Sequence, residues 1–145
     1  MKLILELSGE HPAIPVEEVK AILPVFEQNT QVLIAEAPSI EIINRFAYTH
    51  AAMTYIGTCP ADKESFIQML EDLDITSPEP FCGRVKKMAD HGMDASSGEL
   101  ERLIGYHVKG RVSVSSPERV FRVVIAGGRC YFGELTWELD RSPYH

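Results

Sequence analysis

The chain has 145 residues, of which 45% are hydrophobic and 24% charged, and its formal net charge is −7. This apolar content supports an ordinary core, in one compact unit or two small ones, and excludes a disordered chain. No stretch approaches the roughly 18 apolar residues of a membrane span, and the first residues turn polar too early for a secretory signal, so we expect a cytoplasmic protein.

The charges are distributed unevenly along the chain. Residues 1–80 contain four Lys/Arg and thirteen Asp/Glu, a net charge of −9, whereas residues 81–145 contain ten and eight, a net charge of +2. A weakly positive half can bind phosphate groups where its cations cluster, but the chain lacks the basic footprint of an independent high-affinity nucleic-acid binder. Any affinity of this chain for RNA should therefore be modest, or RNA binding should be shared with another domain.

Strand and helix patterns alternate in the first half of the chain. A short apolar run over 2–8 predicts a strand, and apolar residues at helical spacing from Pro15 to Phe26 predict a helix that Pro24 kinks or ends. Asp62 predicts the N-cap of a helix with an apolar face that includes Phe66 and Leu70. Between these, the patterns predict a strand over 30–37, a helix over 40–47 and a strand over 48–58.

The second half begins with a predicted strand, Phe81–Met88, followed by a long polar loop. Ser96 and Glu99 form a capping-box pattern, which predicts a helix that ends near Lys109 and Gly110. Residues 111–115 predict a short strand. The resulting order of elements indicates an α+β or α/β sandwich with helices packed on a sheet, and we expect a ferredoxin-like N-terminal unit followed by a small sheet-and-helix unit.

A β-hairpin is the clearest pattern near the end of the chain. Gly127 and Gly128 predict a two-residue turn, because such turns need positive φ angles, and this turn places Ile125 opposite Cys130 and Arg122 opposite Gly133. Alternation then assigns Phe121, Val123, Ile125, Cys130 and Phe132 to one face, which we interpret as core. The other face contains Arg122, Val124, Arg129 and Tyr131.

The second hairpin face has the residue types that contact single-stranded RNA. Guanidinium groups match phosphate oxygens, and aromatic rings stack on bases. The alternative is that the arginines pack over a sheet edge or against a neighbouring domain. The strand and the helix that precede the hairpin, and the final Asp-Arg pair, supply further cations. The candidate RNA-contacting residues are therefore Arg84, Lys86, Lys87, Arg102, Lys109, Arg122, Arg129, Tyr131 and Arg141.

No pattern in the chain points to catalysis. It has no glycine-rich phosphate loop, no metal-binding HExxH, no GxSxG and no paired-cysteine motif. Cys59, Cys82 and Cys130 are odd in number and far apart, so we expect buried reduced thiols rather than a disulfide framework or a zinc site. The predictions are therefore no catalytic residue, no metal and no cofactor on this chain.

Several segments resemble a known RNA-binding module. The sequences ELERLIGYHV and VSVSSPERVFRVVIAGGRCYFGELTWELDRS resemble the C-terminal half of a THUMP domain, with Phe81–Lys87 as its first strand. The opening LELSGEHPAIPVEEVKAIL, with NRFAYTHAA, resembles the N-terminal region of archaeal tRNA guanosine-10 N2-methyltransferases. The resemblance implies a ferredoxin-like domain over 1–60 and a THUMP domain over 61–145.

The resemblance also implies a function. THUMP domains of this family dock the acceptor end of tRNA through its single-stranded 3′ tail, so that a linked domain reaches a fixed nucleotide. That linked domain binds S-adenosylmethionine and carries an Asp-Pro-Pro-Tyr type motif, which this chain does not contain. The implied partners are tRNA and a methyltransferase domain outside the chain, with S-adenosylmethionine bound by that domain.

Two alternatives remain open from the sequence. The chain can be a ferredoxin-like domain that senses a small molecule bound between helix and strand. It can also be a THUMP module that serves another tRNA modification, such as thiolation or pseudouridine formation.

Overall fold

The computed structural model describes residues 1–7, 14–29, 31–46 and 49–138, with side chains as far as residue 136. The chain divides into two compact units, unit 1 (Met1–Tyr55 with Leu135–His145) and unit 2 (Ile56–Glu134). Seven strands are described: β1 (Lys2–Leu7), β2 (Val25–Asn29), β3 (Val32–Glu36), β4 (Thr49–Pro60), β5 (Phe81–Lys87), β6 (Arg119–Ala126) and β7 (Arg129–Glu138). The α-helices are α1 (Ile14–Lys20), α2 (Lys63–Leu73) and α3 (Ser97–His107), and a 3₁₀-helix spans Ile40–Arg45.

Unit 1 is an antiparallel sheet with one helix and the 3₁₀-helix on its apolar face. Its strands are hydrogen-bonded in the order β2-β3-β1-β4. Alternate residues of β1, including Leu3 and Leu5, pack with Val16 and Val19 of α1 and with Ile43 of the 3₁₀-helix. This core is built by period-2 strand positions facing period-3.6 helix positions, as a layered α/β unit requires.

Unit 2 contains the strand order β7-β6-β5. β5 pairs with β6 in parallel and β6 pairs with β7 in an antiparallel hairpin. The last residues of β4 lie beside the start of β7, where Ala61 N donates to Gly128 O at 2.9 Å. Helices α2 and α3 cover one face, and their Phe66, Leu100 and Ile104 pack against Phe121 and Phe132 of the hairpin.

Local signals in unit 2 are confirmed by the structure. Ile125 pairs with Cys130 and Arg122 with Gly133, across a turn in which Gly127 and Gly128 have φ angles of 53° and 77°. Asp62 accepts a hydrogen bond from Ser65 N at the start of α2, and Ser96 and Glu99 form a complete capping box at the start of α3. All three cysteines are buried and free.

Three elements differ from the sequence prediction. Phe26 lies in β2 rather than in a helix, because Pro24 ends helical hydrogen bonding and the chain turns back beside β3. The segment that begins at Ile40 is a 3₁₀-helix, in which Ser39 makes no side-chain cap and three isoleucines disfavour an α-helix. Residues 111–115 form no strand, and only a single bridge joins Val112 to Phe81.

Helix length and polarity can be compared with the requirements of a bilayer. None of the helices within the described ranges combines the length and the apolar character needed to span one.

Candidate nucleic-acid interface

The second face of the β6–β7 hairpin is buried. Tyr131 is 0% exposed and Arg122 8% exposed. Arg129 is half-buried, and its Nη2 donates to Thr58 Oγ1 at 2.9 Å. The predicted RNA contacts of Arg122 and Tyr131 require this face to be open, and the structure contradicts that requirement: β6 is buried without interruption from Phe121 onward, as is common for a strand with a parallel neighbour. An RNA contact by Arg122 or Tyr131 would require the removal of this cover.

The cations of β5 differ from one another in their surroundings. Arg84 and Lys86 are exposed. Lys87 is half-buried, and its ammonium donates to Ala95 O at 2.7 Å. Lysine on an edge strand also protects the free edge from pairing with another chain, so these residues have a structural use besides any ligand contact.

Lys109 lies just beyond α3 and is engaged by a carboxylate. Its Nζ is 2.7 Å from Asp74 Oδ1, and both side chains are well exposed to solvent. An exposed pair of this kind contributes little to stability and is screened by salt, so Lys109 can exchange Asp74 for a phosphate at small cost. Arg141 lies outside the described residues.

Arg84 and Arg102 line the same groove, which we call the Arg84–Arg102 groove. It has a volume of about 430 Å³ and lies between β5 and α3. Glu101 forms part of the same wall, and Val112 and Val114 supply exposed apolar surface, 48% and 68% exposed. The groove therefore combines two cations, one carboxylate and an apolar surface, a composition suited to a ligand that has charged, polar and flat apolar parts.

Glycine residues determine how closely the groove walls approach. A Cβ added to Gly83 would lie 2.9 Å from Ile104 Cβ, so only glycine allows α3 to pack this closely on β5. Glycine inside a helix is destabilising relative to alanine. At Gly105 an added Cβ would meet Val112 Cγ2 at 3.4 Å, an ordinary contact, so close packing does not require glycine at this position. Gly83 thus sets how closely α3 packs on β5.

A second hollow lies on the other side of Arg102. It has a volume of about 420 Å³ and is lined by Lys63, Glu99, Leu103 and Tyr106 as well as by Arg102. Lys63 Nζ is 3.1 Å from Glu99 Oε2. The ring of Tyr106 is 82% exposed, one turn beyond Arg102 on the same side of α3. We call the two hollows together the α3 surface.

Tyr106 and Lys63 are residues that the sequence reasoning missed. A signal for Tyr106 was present, because it falls outside the buried stripe that contains Leu100 and Ile104 and is spaced four residues from Arg102. Lys63 had no such signal, since its position beside Glu99 depends on how α2 packs against α3. An exposed tyrosine near an arginine offers the stacking and phosphate contacts that were predicted for the hairpin.

One thiol, that of Cys82, lines the groove. Burial raises the pKa of the Cys82 thiol, with Arg84 acting in the opposite direction and Glu101 adding to the increase. A thiol whose pKa is raised above its ordinary value is neutral at pH 7 and is a poor nucleophile. In the described part of the chain, no group of three or more His, Cys, Asp or Glu side chains converges as a metal site.

The chain is similar in sequence to one curated protein and in fold to several solved structures. No protein-family model matches the chain. In sequence, it is 28% identical over 145 residues to a tRNA (guanine(10)-N2)-dimethyltransferase of Methanothermobacter thermautotrophicus, an alignment that covers 89% of this chain and 42% of that protein. The chain thus spans less than half the length of this relative.

Solved structures show the same mixed α/β fold. TrmN from Thermus thermophilus matches with a TM-score of 0.65 and 16% identity, over 95% of this chain and 46% of that one. A 4-thiouridine synthetase solved as an RNA complex with bound ATP matches with a TM-score of 0.53 and 14% identity, over 92% and 40% of the two chains. In both comparisons the similarity lies in part of a longer protein.

Proposed function

We propose that this chain is the RNA-binding module of a tRNA-modifying enzyme, and that it docks the acceptor end of tRNA and positions it for a linked guanine-N2 methyltransferase domain. In this proposal residues 1–60 are a ferredoxin-like domain and residues 61–145 a THUMP domain. The observation that carries it is the α3 surface, where two exposed arginines and an exposed tyrosine border the groove and the adjoining hollow. The sequence similarity to a tRNA dimethyltransferase supports the choice of substrate.

The contacts follow from ordinary recognition of unpaired RNA. Arg84 and Arg102 bind phosphate oxygens, and Tyr106 stacks on a base. Lys86, Lys87 and Lys109 extend the positive charge along β5 and past the end of α3. This small set of cations fits a module of modest affinity, and net negative charge elsewhere keeps the rest of the chain away from the RNA.

The methyl donor belongs, in this proposal, to the linked domain. S-adenosylmethionine and other nucleotide cofactors are commonly held by a glycine-rich turn that leads from a strand into a helix. In the described residues the Gly127-Gly128 turn joins two strands, the β4–α2 connection contains no glycine, and the β5–α3 connection contains a single glycine, Gly92. None of these connections is a glycine-rich turn from a strand into a helix, so we assign no methyl-transfer step to them.

A second candidate function is service to another tRNA modification. The fold similarity to a 4-thiouridine synthetase crystallised with RNA favours it, since that enzyme performs a different reaction. The RNA-binding role is common to both candidates, and the reaction would be decided by the linked domain. Small-molecule sensing is the remaining alternative, because a groove of about 430 Å³ falls within the size range of ligand pockets.

Binding to a tRNA transcript tests the proposal directly. Wild-type protein should bind full-length tRNA more tightly than the same tRNA without its single-stranded 3′ tail. Arg102→Ala should weaken binding about tenfold or more, because a charge-assisted hydrogen bond contributes about 1.5–3 kcal/mol, and should reduce the slope of log K against log salt by about 0.7. Fluorescence anisotropy over a series of salt concentrations measures both quantities.

A matched control is available in unit 1. Arg45 is exposed, and Arg45→Ala removes the same charge from a part of the chain that the proposal keeps off the RNA. It should leave the affinity within twofold of wild type. Equal affinities for Arg102→Ala, Arg84→Ala and wild type would remove the groove from the interface, and absence of tRNA binding would remove the function. Thermal stabilisation by a small metabolite with indifference to tRNA would favour the sensing alternative.

A further inference from the structure

Glu101 is the one carboxylate among the residues that line the Arg84–Arg102 groove. Its side chain is half-buried, and within the described part of the chain it forms no hydrogen bond and no ion pair. Other carboxylates of unit 2 are used structurally: Glu99 closes the capping box and pairs with Lys63, and Glu134 binds the guanidinium of Arg119 at 2.7 and 3.1 Å. Glu101 therefore lines a ligand-sized groove without a structural role of that kind.

A carboxylate in this position works against a purely electrostatic groove. It repels the phosphate oxygens that Arg84 and Arg102 attract, and it accepts hydrogen bonds but cannot donate them. Its complement is therefore an N–H donor on the ligand. Among the bases, cytosine, adenine and guanine carry an exocyclic amino group, whereas uracil presents a carbonyl oxygen at the position of the cytosine amino group.

We propose that Glu101 selects the base held in the groove, by accepting a hydrogen bond from an exocyclic amino group and rejecting uracil. This inference rests on the proposed RNA-binding function. The exposed faces of Val112 and Val114 receive the flat side of the base, and the two arginines hold the phosphates on either side. Uracil in the same place would bring its carbonyl oxygen against the carboxylate and leave both without a donor.

Two single-stranded oligonucleotides of equal length, oligocytidine and oligouridine, form the sharpest probe. They carry the same number of phosphates and pyrimidine rings of the same size, so the arginine contacts and the apolar contacts contribute similarly to both. Wild-type protein should bind oligocytidine about tenfold more tightly at neutral pH, since one good base contact discriminates by about this factor or more. Fluorescence anisotropy at fixed salt measures the ratio of the two dissociation constants.

Three variants separate base selection from charge. Glu101→Gln should bring the ratio close to one, because the amide can donate to the uracil carbonyl, while affinity for oligouridine rises. Arg102→Ala should weaken both oligonucleotides by the same factor and preserve the ratio. Glu71→Gln removes one negative charge from an exposed position on α2, outside the residues that line the groove, and should leave the ratio as in wild type.

Each outcome decides the inference. A wild-type ratio near one, or a tenfold ratio retained in Glu101→Gln, overturns base selection while the RNA-binding function stands. Failure to bind either oligonucleotide also overturns it, and tRNA binding measured in parallel then shows whether the proposed function fails with it. A ratio near one in Glu71→Gln as well would assign the effect to overall charge and overturn the role of Glu101.

Discussion

Two regions of unit 2 carry arginine near tyrosine, and they differ in exposure. On the hairpin, Tyr131 has no exposed surface and Arg122 is 8% exposed, whereas on the α3 surface Tyr106 is 82% exposed and Arg102 is open to solvent. The same residue types therefore serve two purposes. In the hairpin they are part of the packed interior, and on α3 they are available to a ligand.

The difference shows how secondary structure decides the fate of a residue. β6 has strands on both sides and is buried on both faces, so each of its side chains from residue 121 onward is covered, whatever its polarity. A helix that packs on the outside of a sheet buries one apolar stripe and exposes its opposite side to solvent. Arginine and tyrosine on α3 are consequently exposed unless they lie on the stripe that contains Leu100 and Ile104.

The largest expected effect contrasts the two tyrosines. Tyr131→Ala should lower the free energy of unfolding by about 3–5 kcal/mol, because truncation of a fully buried aromatic side chain loses burial and leaves a cavity. Tyr106→Ala should change it by less than about 0.5 kcal/mol and should weaken tRNA binding instead. Urea unfolding followed by circular dichroism measures the stability. Similar losses of stability in both variants would contradict the expected difference between the two tyrosines.

The next largest effect concerns the packing of α3 on β5. Gly83→Ala places a Cβ against Ile104 and should destabilise by about 1–3 kcal/mol, since overpacking moves the helix off the strand. Gly98→Ala is the matched control. Gly98 lies in the first turn of α3, and its added Cβ would be 3.5 Å from the flexible end of the Arg102 side chain, which is an ordinary contact. That variant should be neutral or more stable by up to about 1 kcal/mol. A neutral Gly83→Ala would contradict the close approach.

A smaller effect is expected at the start of α3, which presents the exposed arginine and tyrosine. Ser96→Ala removes the side chain that accepts from Glu99 N at 3.1 Å and should cost about 1 kcal/mol. Ser97→Ala, one position later, keeps the cap and should be neutral or more stable by a few tenths of a kcal/mol, since alanine has the higher helix propensity. Thermal unfolding of both variants provides the comparison, and equal melting temperatures would exclude the cap as a stabilising element.

The smallest effect is a dependence on pH. The Ser96 backbone N–H, followed by the Lys63 ammonium, holds the pKa of Glu99 below its ordinary value. The folded pKa is thus below the unfolded one, so the stabilisation is present above about pH 4.3 and is lost as pH falls through the folded pKa. Glu99→Gln should flatten the decline of stability in acid, and Lys63→Met should do so less. An unchanged decline in Glu99→Gln would contradict this assignment.

Short-range signals in the sequence predicted much of unit 2. The turn at Gly127 and Gly128 fixed the hairpin register, and the cap residues Asp62 and Ser96 located the starts of α2 and α3. Each signal is local, because a turn or a cap depends on residues a few positions apart. The burial of the second hairpin face was not predicted, since it depends on what lies over that face, and alternation along a strand gives no information on that.

Unit 1 and the candidate interface show the same limit. Pro24 correctly marked an end of helical structure, but the strand beyond it forms only because β3 is available as a partner. Arg84 and Arg102 were both named as candidate RNA contacts from the sequence, but their common groove depends on the tertiary approach of α3 to Gly83. Lys63 joins the second hollow only through the packing of α2 beside α3. Contacts distant in sequence decide these features.

Arg102 is the common wall of two hollows, and this has a consequence for affinity. A long side chain with several rotamers occupies one position at a time, so a ligand that draws the guanidinium to one side leaves the other side more open and less positive. We therefore expect occupancy of the two hollows to be thermodynamically coupled. A double-mutant cycle between Arg84 and Tyr106 should show non-additive losses that disappear when Arg102 is alanine.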